Sequence, residues 1–150
     1  MIEIVLLSQI IIIIILIVFS AIFSSSETAL TSLSESVLQK RISEGELGAI
    51  KTKKLLSNKE MVISAILLGN NLVNILSSAL ATHIFVKHFG SIGILYSTLT
   101  LTAIIFIFAE VLPKIYAIRK ADTLAIFITP FIAFIVWILT PINNIVHKLV

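Results

Sequence analysis

Residues Ile4 to Phe23 read IVLLSQIIIIIILIVFSAIF, a run without a single charge. At about twenty residues it is long enough for a helix to cross a bilayer hydrocarbon core of roughly 30 Å. A cleaved signal peptide would begin with a basic segment and carry a shorter apolar core. Here Glu3 is the only early charge, so the run is read as a retained first span.

The rest of the chain repeats this character. It is 58% hydrophobic and 13% charged, with a mean hydropathy of +1.12. Soluble domains are roughly 45–50% apolar and about 25% charged, so the class is a membrane domain, and the length suits one of them. Met61 to Val86 is a second run without a formal charge, and Ile92 to Val111 is a third, interrupted by Glu110. A fourth, Thr123 to Leu139, contains Pro130 and is followed by Pro141. The absence of cysteine excludes disulfides, zinc–thiolate sites and thiol catalysis.

The basic residues orient the spans. Lys40, Arg41, Lys51, Lys53, Lys54 and Lys59 sit in the linker between the first two runs, and Lys114, Arg119 and Lys120 follow the third. The turn between spans two and three, KHFGSIG, offers only Lys87. Lysine and arginine stay on the cytoplasmic side, which predicts the N-terminus outside and the C-terminus inside after three crossings. The expected fold is therefore all-α and integral to the cell membrane. Spans are expected at about 4–30, 61–86 and 92–118, with juxtamembrane helices at about 33–57 and 121–149.

Two details of that layout stand as alternatives. The linker reads as two short amphipathic helices broken near Gly45–Gly48, with Leu33, Val37, Leu38 and Ile42 on one face and Ile50, Leu55 and Leu56 in another cluster. They lie along the inner interface, or else the linker is a solvated connector. Ser57 or Asn58 is placed to cap the second span. The fourth run is read as a bent juxtamembrane helix, because Pro130 interrupts it and Trp137, Pro141 and Asn143–Asn144 have interfacial character. A fourth crossing would put the C-terminus outside.

Polar residues inside spans are costly, and three clusters stand out. Ser20 and Ser24 stack one turn apart in FSAIFSSSETAL, with Glu27 following. Asn70, Asn74 and Ser77/Ser78 recur on one face of LLGNNLVNILSS. The third cluster is FAEVLPK, Phe108 to Lys114. Each has a plain structural reading: serines beginning a loop, asparagines as helix-packing glue, and Glu110 paired with Lys114 one turn on. Depth argues for more. Asn70 lies about nine residues, roughly 14 Å, above the start of the second span. The serines and Glu110 fall in the inner halves of spans running the other way, so all three clusters can meet at one level.

Pro113 adds an oxygen to this inventory. It has no N–H, so the carbonyl four residues back, on Ala109, loses its helical partner beside Glu110. Hydroxyls, amide oxygens, a freed carbonyl and one carboxylate make an all-oxygen donor set, suited to Mg²⁺, Ca²⁺ or, with less charge, Na⁺. One carboxylate against a divalent ion leaves net positive charge, which suits a passing ion.

These motifs, F-S-x-x-E-T-A-L, L-G-N-N-L-V-N and E-V-L-P-K, resemble the membrane domain of the CNNM/CorC magnesium transporter family across essentially the whole chain. The resemblance implies three spans, cytoplasmic juxtamembrane helices, a homodimer, and Mg²⁺ export coupled to Na⁺ entry. It implies an ion site of Ser24, Asn70, Asn74 and Glu110, with Ser20, Glu27, Asn71 and Ala109 as additional or supporting positions. Ala109 stands where the family usually has glycine. The cytoplasmic CBS region that usually follows is expected to be missing from this chain.

Other functions are weaker. A metal-sensing or scaffold subunit would use the same polar cluster only to hold helices together. Enzymatic activity is not expected, since no nucleophile or histidine lies near Glu110 and Lys114. Nucleic-acid binding is not expected either, because acidic residues interleave the basic linker. The expected partners are Mg²⁺, the lipid bilayer and a second copy of the chain.

Overall fold

A computed structural model describes residues 2–149, with side chains described for 3–140. Among the described residues the chain is helical throughout and has no strand. Helix α1 spans Ile2–Ser32, α2 Glu35–Ser43, α3 Leu47–Leu55 and α4 Lys59–Phe89. Next come α5 (Gly93–Ile104), a π-helical segment (Ile105–Val111), α6 (Leu112–Arg119) and α7 (Ala121–Leu149). Three helical stretches, Glu3–Ser32, Leu47–Arg119 and Ala121–Thr140, are long and apolar enough to cross a membrane. The middle stretch folds back on itself, so it supplies two antiparallel passes.

The fold-back is made by small residues. Gly90 ends α4 at φ 64°, a left-handed backbone conformation that side chains disfavour. Gly93 then starts α5 against the end of α4, where a Cβ would stand 2.4 Å from the Phe85 carbonyl oxygen. Thr82 and Ser97 hydroxyls hydrogen-bond across the hairpin at 3.1 Å, and the Phe89 and Tyr96 rings meet edge to face.

At the opposite end the linker closes the bundle. Asn58 Oδ1 accepts the Met61 N–H at 3.3 Å and so caps α4. The Ser34 N–H donates to the Asp122 carboxylate at 3.0 Å, tying the end of α1 to the α6–α7 junction. The basic linker and the Arg119–Lys120 turn therefore lie at one end of the molecule.

The break between α2 and α3 falls at Glu44–Glu46, with Gly45 at φ 82°. Gly48 lies inside α3, where a Cβ would stand 2.6 Å from Ile126 Cγ2 of α7. That close approach turns α3 by its small residues: Ala49 and Thr52 are buried, whereas Ile50 is exposed. Leu38 is the buried residue of α2.

The core sits where α1, α4, α6 and α7 converge, around Phe23, Leu30, Val62, Ile66, Ala117 and Ile132. The first two-thirds of α1 stands outside it. Ile4, Leu7 and Ile14 are 73%, 59% and 55% exposed, an apolar surface suited to the hydrocarbon of a bilayer. Helix α7 continues without a break through Pro130, with Ala125, Thr129 and Ile132 buried on one side and Phe127, Phe134 and Trp137 exposed on the other.

Candidate metal site

Serines are unusual at the centre of an apolar helix pair, and α1 buries three. Ser20, Ser24 and Ser26 are 0%, 1% and 0% exposed. Ser26 donates to the Ile22 carbonyl one turn back, which satisfies it within its own helix. Ser20 reaches across to α4, donating to Asn70 Oδ1 at 2.7 Å. Ser24 Oγ, one turn further along, is buried and has no hydrogen-bond partner.

The facing surface of α4 mirrors this. Asn74 is one turn beyond Asn70, and its Oδ1 is likewise buried without a partner. Between the helices, Gly69 admits the Phe23 ring: a Cβ there would stand 2.7 Å from Phe23 Cζ. The ring cannot easily retreat, because it also packs on Phe131 at 5.9 Å between centroids. A close α1–α4 contact thus brings Ser20 and Asn70 together and leaves two oxygens beside them unspent. Buried polar atoms are nearly always paired, so two orphans flanking this hydrogen bond, one turn to either side on antiparallel helices, are the feature that a ligand would explain.

Of the stripe read from sequence, Ser77 is buried and donates to the Val73 carbonyl at 2.8 Å. Asn71 is exposed on α4, about 100° around the helix from Asn70. Glu27 is half-buried on α1.

Glu110 stands on the π-helical segment, which packs against α1 and α5. There the Leu112 N–H bonds the Ile107 carbonyl, five residues back. The wider turn has a cause in the sequence. Pro113 lacks an N–H and its ring would strike the Ala109 carbonyl in a regular helix, so the turn before it opens. Ala109 itself is fully buried and Glu110 is half-buried. Among the described residues the ion pairs are Lys40–Glu44, Arg41–Glu46 and Lys53–Glu35, so Glu110 is not paired with Lys114.

Glu110 lines a cavity of about 280 Å³ with Ser78, Thr98 and Thr102 among its walls. Sequence reasoning missed the two threonines. They lie one turn apart in STLTLTA, a hydroxyl pair at helical spacing that was legible but overshadowed by the asparagines.

No group of three or more His, Asp or Glu side chains gathers among the described residues. The candidate donors are neutral oxygens plus one carboxylate, a set that fits a hard cation and not a soft transition metal. This fit rests on the orphaned Ser24 and Asn74 oxygens.

Antiparallel apolar helices, a lipid-facing exterior and a buried oxygen cluster define a multi-pass helical membrane domain with a polar centre. The pattern of the cyclin M transmembrane N-terminal domain matches residues 11–150, and the chain belongs to that family. It is 40% identical over 117 residues to a UPF0053 protein of Haemophilus influenzae, covering 78% of this chain and 28% of the relative. It is 41% identical over 106 residues to the UPF0053 inner membrane protein YfjD of Escherichia coli, covering 71% and 25%. The metal transporter cnnm-4 of Caenorhabditis elegans is 31% identical over 130 residues, covering 83% and 27%. The chain thus spans about a quarter of the length of these curated relatives.

Proposed function

We propose that this domain exports Mg²⁺ or a similar divalent cation, coupled to Na⁺ entry. In this reading Ser24, Asn70, Asn74 and Glu110 are its ligands, and Ser20 positions Asn70. The observation that carries it is the pair of buried, unpartnered oxygens, Ser24 Oγ and Asn74 Oδ1, beside the Ser20–Asn70 hydrogen bond. Membership of the cyclin M family and the metal transporter among its relatives support the same reading.

Mechanistically, neutral oxygens replace hydration water while one carboxylate supplies charge, so the ion is held without being trapped. Glu110 offers that carboxylate from the segment whose turn Pro113 has opened. The basic linker and the Arg119–Lys120 turn share one end, and we assign that end to the cytoplasm. Assembly as a homodimer belongs to the same proposal.

The test is Mg²⁺ flux in proteoliposomes, wild type against Glu110→Gln. Wild-type flux that Glu110→Gln abolishes supports transport through this site. Mg²⁺ binding without flux in the wild type would leave a sensor or scaffold.

A further inference from the structure

Away from the oxygen cluster, α3, α4 and α7 enclose a groove of about 380 Å³ at the linker end of the bundle. That volume is in the range of ligand pockets. Its walls include Val62, Ala133 and Val136, and its rim carries Lys51 and Lys54. What distinguishes the rim is which polar groups are already engaged. Ser57 Oγ donates to the Lys54 carbonyl at 2.8 Å. Asn58 Oδ1 accepts from the Met61 N–H. On the floor, Thr129 is buried, donates to the Ala125 carbonyl at 2.8 Å and meets the Thr52 hydroxyl at 2.7 Å.

The hydroxyls of Ser57 and Thr129 and the amide oxygen of Asn58 are therefore already engaged, and the rest of the wall is apolar. The two rim lysines are not so engaged. Their neighbour Lys53 is held by Glu35, but neither Lys51 nor Lys54 has an ion pair among the described residues. At i and i+3 on α3, both ammonium groups serve one mouth.

An apolar slot with two free cations at its opening matches a molecule with a hydrocarbon tail and an anionic head. In a membrane domain, at the level where α4 begins, that molecule is an anionic phospholipid. We propose that this groove binds one such lipid, with an acyl chain along α4 and α7 and the phosphate on Lys51 and Lys54. The Thr52–Thr129 hydrogen bond joins the helices that form two of its walls, so a seated lipid would brace α7 against α3. The inference does not depend on the cation site and can fail or succeed separately.

The test uses the full chain in mild detergent, following its melting temperature during titration with phosphatidylglycerol, phosphatidylcholine or inorganic phosphate. Phosphatidylglycerol is expected to raise the melting temperature at lower concentration than phosphatidylcholine. Lys51→Gln with Lys54→Gln should raise its half-maximal concentration about thirtyfold, at roughly fivefold per charge near the surface. Ala133→Trp, which fills the slot and keeps both lysines, should lose the effect too, whereas Lys40→Gln should leave it unchanged. The proposal is overturned if the two lipids act alike, or if inorganic phosphate alone reproduces the shift. It is equally overturned if the lysine pair matters no more than Lys40, or if Ala133→Trp binds as the wild type does.

Discussion

Two of the helix contacts that bury side-chain oxygens treat them differently. Between α3 and α7, the Thr52 and Thr129 hydroxyls meet at 2.7 Å, one donating to the other and the second donating to the carbonyl one turn back in its own helix. Nothing there is left to satisfy. Between α1 and α4, Ser20 and Asn70 bond each other, but Ser24 Oγ and Asn74 Oδ1 beside them have no partner. Both contacts are close, and both use glycine to achieve it, Gly48 in one and Gly69 in the other. A complete hydrogen-bond inventory is what helix glue looks like. An incomplete one, sustained in a tightly packed interface, marks a place shaped for something else.

The largest expected effect comes from Glu110, the charge that the proposed site adds to the second contact. Glu110→Gln keeps the side chain's shape and should weaken Mg²⁺ binding by about 2–5 kcal/mol, by analogy with removing one member of a buried charge pair. Lys114→Ala should leave Mg²⁺ binding near the wild-type value, since the two side chains are not paired. Calorimetric titration of both variants checks this, and equal losses would restore the ion-pair reading.

Gly69→Ala should come next. Its Cβ would meet a Phe23 ring held from behind by Phe131, so overpacking should cost about 1–3 kcal/mol. Thermal melting with and without Mg²⁺ should show lower stability, and an unchanged melting temperature would mean that α1 and α4 are not locked as described.

The smallest effect belongs to the exposed linker. Hydrogen bonds from Lys53 and then Gln39 hold the Glu35 carboxyl below its usual range. A depressed folded-state value means this contact stabilises the α2–α3 pair above the unfolded carboxyl's pKa. That contribution is lost as pH falls through the folded one. The protection of α2 amides, taken relative to their intrinsic exchange rates at each pH, should fall on acidification, and Glu35→Gln should flatten that dependence. A wild type and variant with the same pH profile would remove the contact from the account.

Much of this was legible in the sequence, for identifiable reasons. A charge-free Ile4–Phe23 and a charge-free Met61–Val86 leave a chain little choice but membrane helices, and the cap at Asn58 follows from side-chain chemistry. Ser24, Asn70, Asn74 and Glu110 stood out because oxygens in lipid need a reason. What remained hidden depends on contacts between segments distant in sequence. The face that α3 buries is set by the approach of Ile126 to Gly48, so Ile50 turned outward against its hydrophobicity. Pro113 signalled a freed carbonyl, but the opening of a whole π-helical turn emerged only with neighbouring helices to support it. Which of the polar residues on α1 and α4 would pair, and which would be left over, required the register of the two helices.

The central claim is that the unpaired oxygens of Ser24 and Asn74 are kept for a cation. Replacing glue lowers stability, whereas replacing buried unsatisfied groups with apolar ones of similar shape is close to neutral or stabilising. The decisive measurement is melting in detergent, with and without Mg²⁺, of Ser24→Ala combined with Asn74→Leu, using Thr52→Val as the glue control. The double variant should melt at or above the wild type without the ion and lose the Mg²⁺-dependent rise, worth about 2.7 kcal/mol in the wild type at a hundredfold excess over Kd. Thr52→Val should melt lower by about 0.5–1.5 kcal/mol and keep the rise in full. A double variant that melts well below the wild type and still gains the full Mg²⁺ rise would contradict the account.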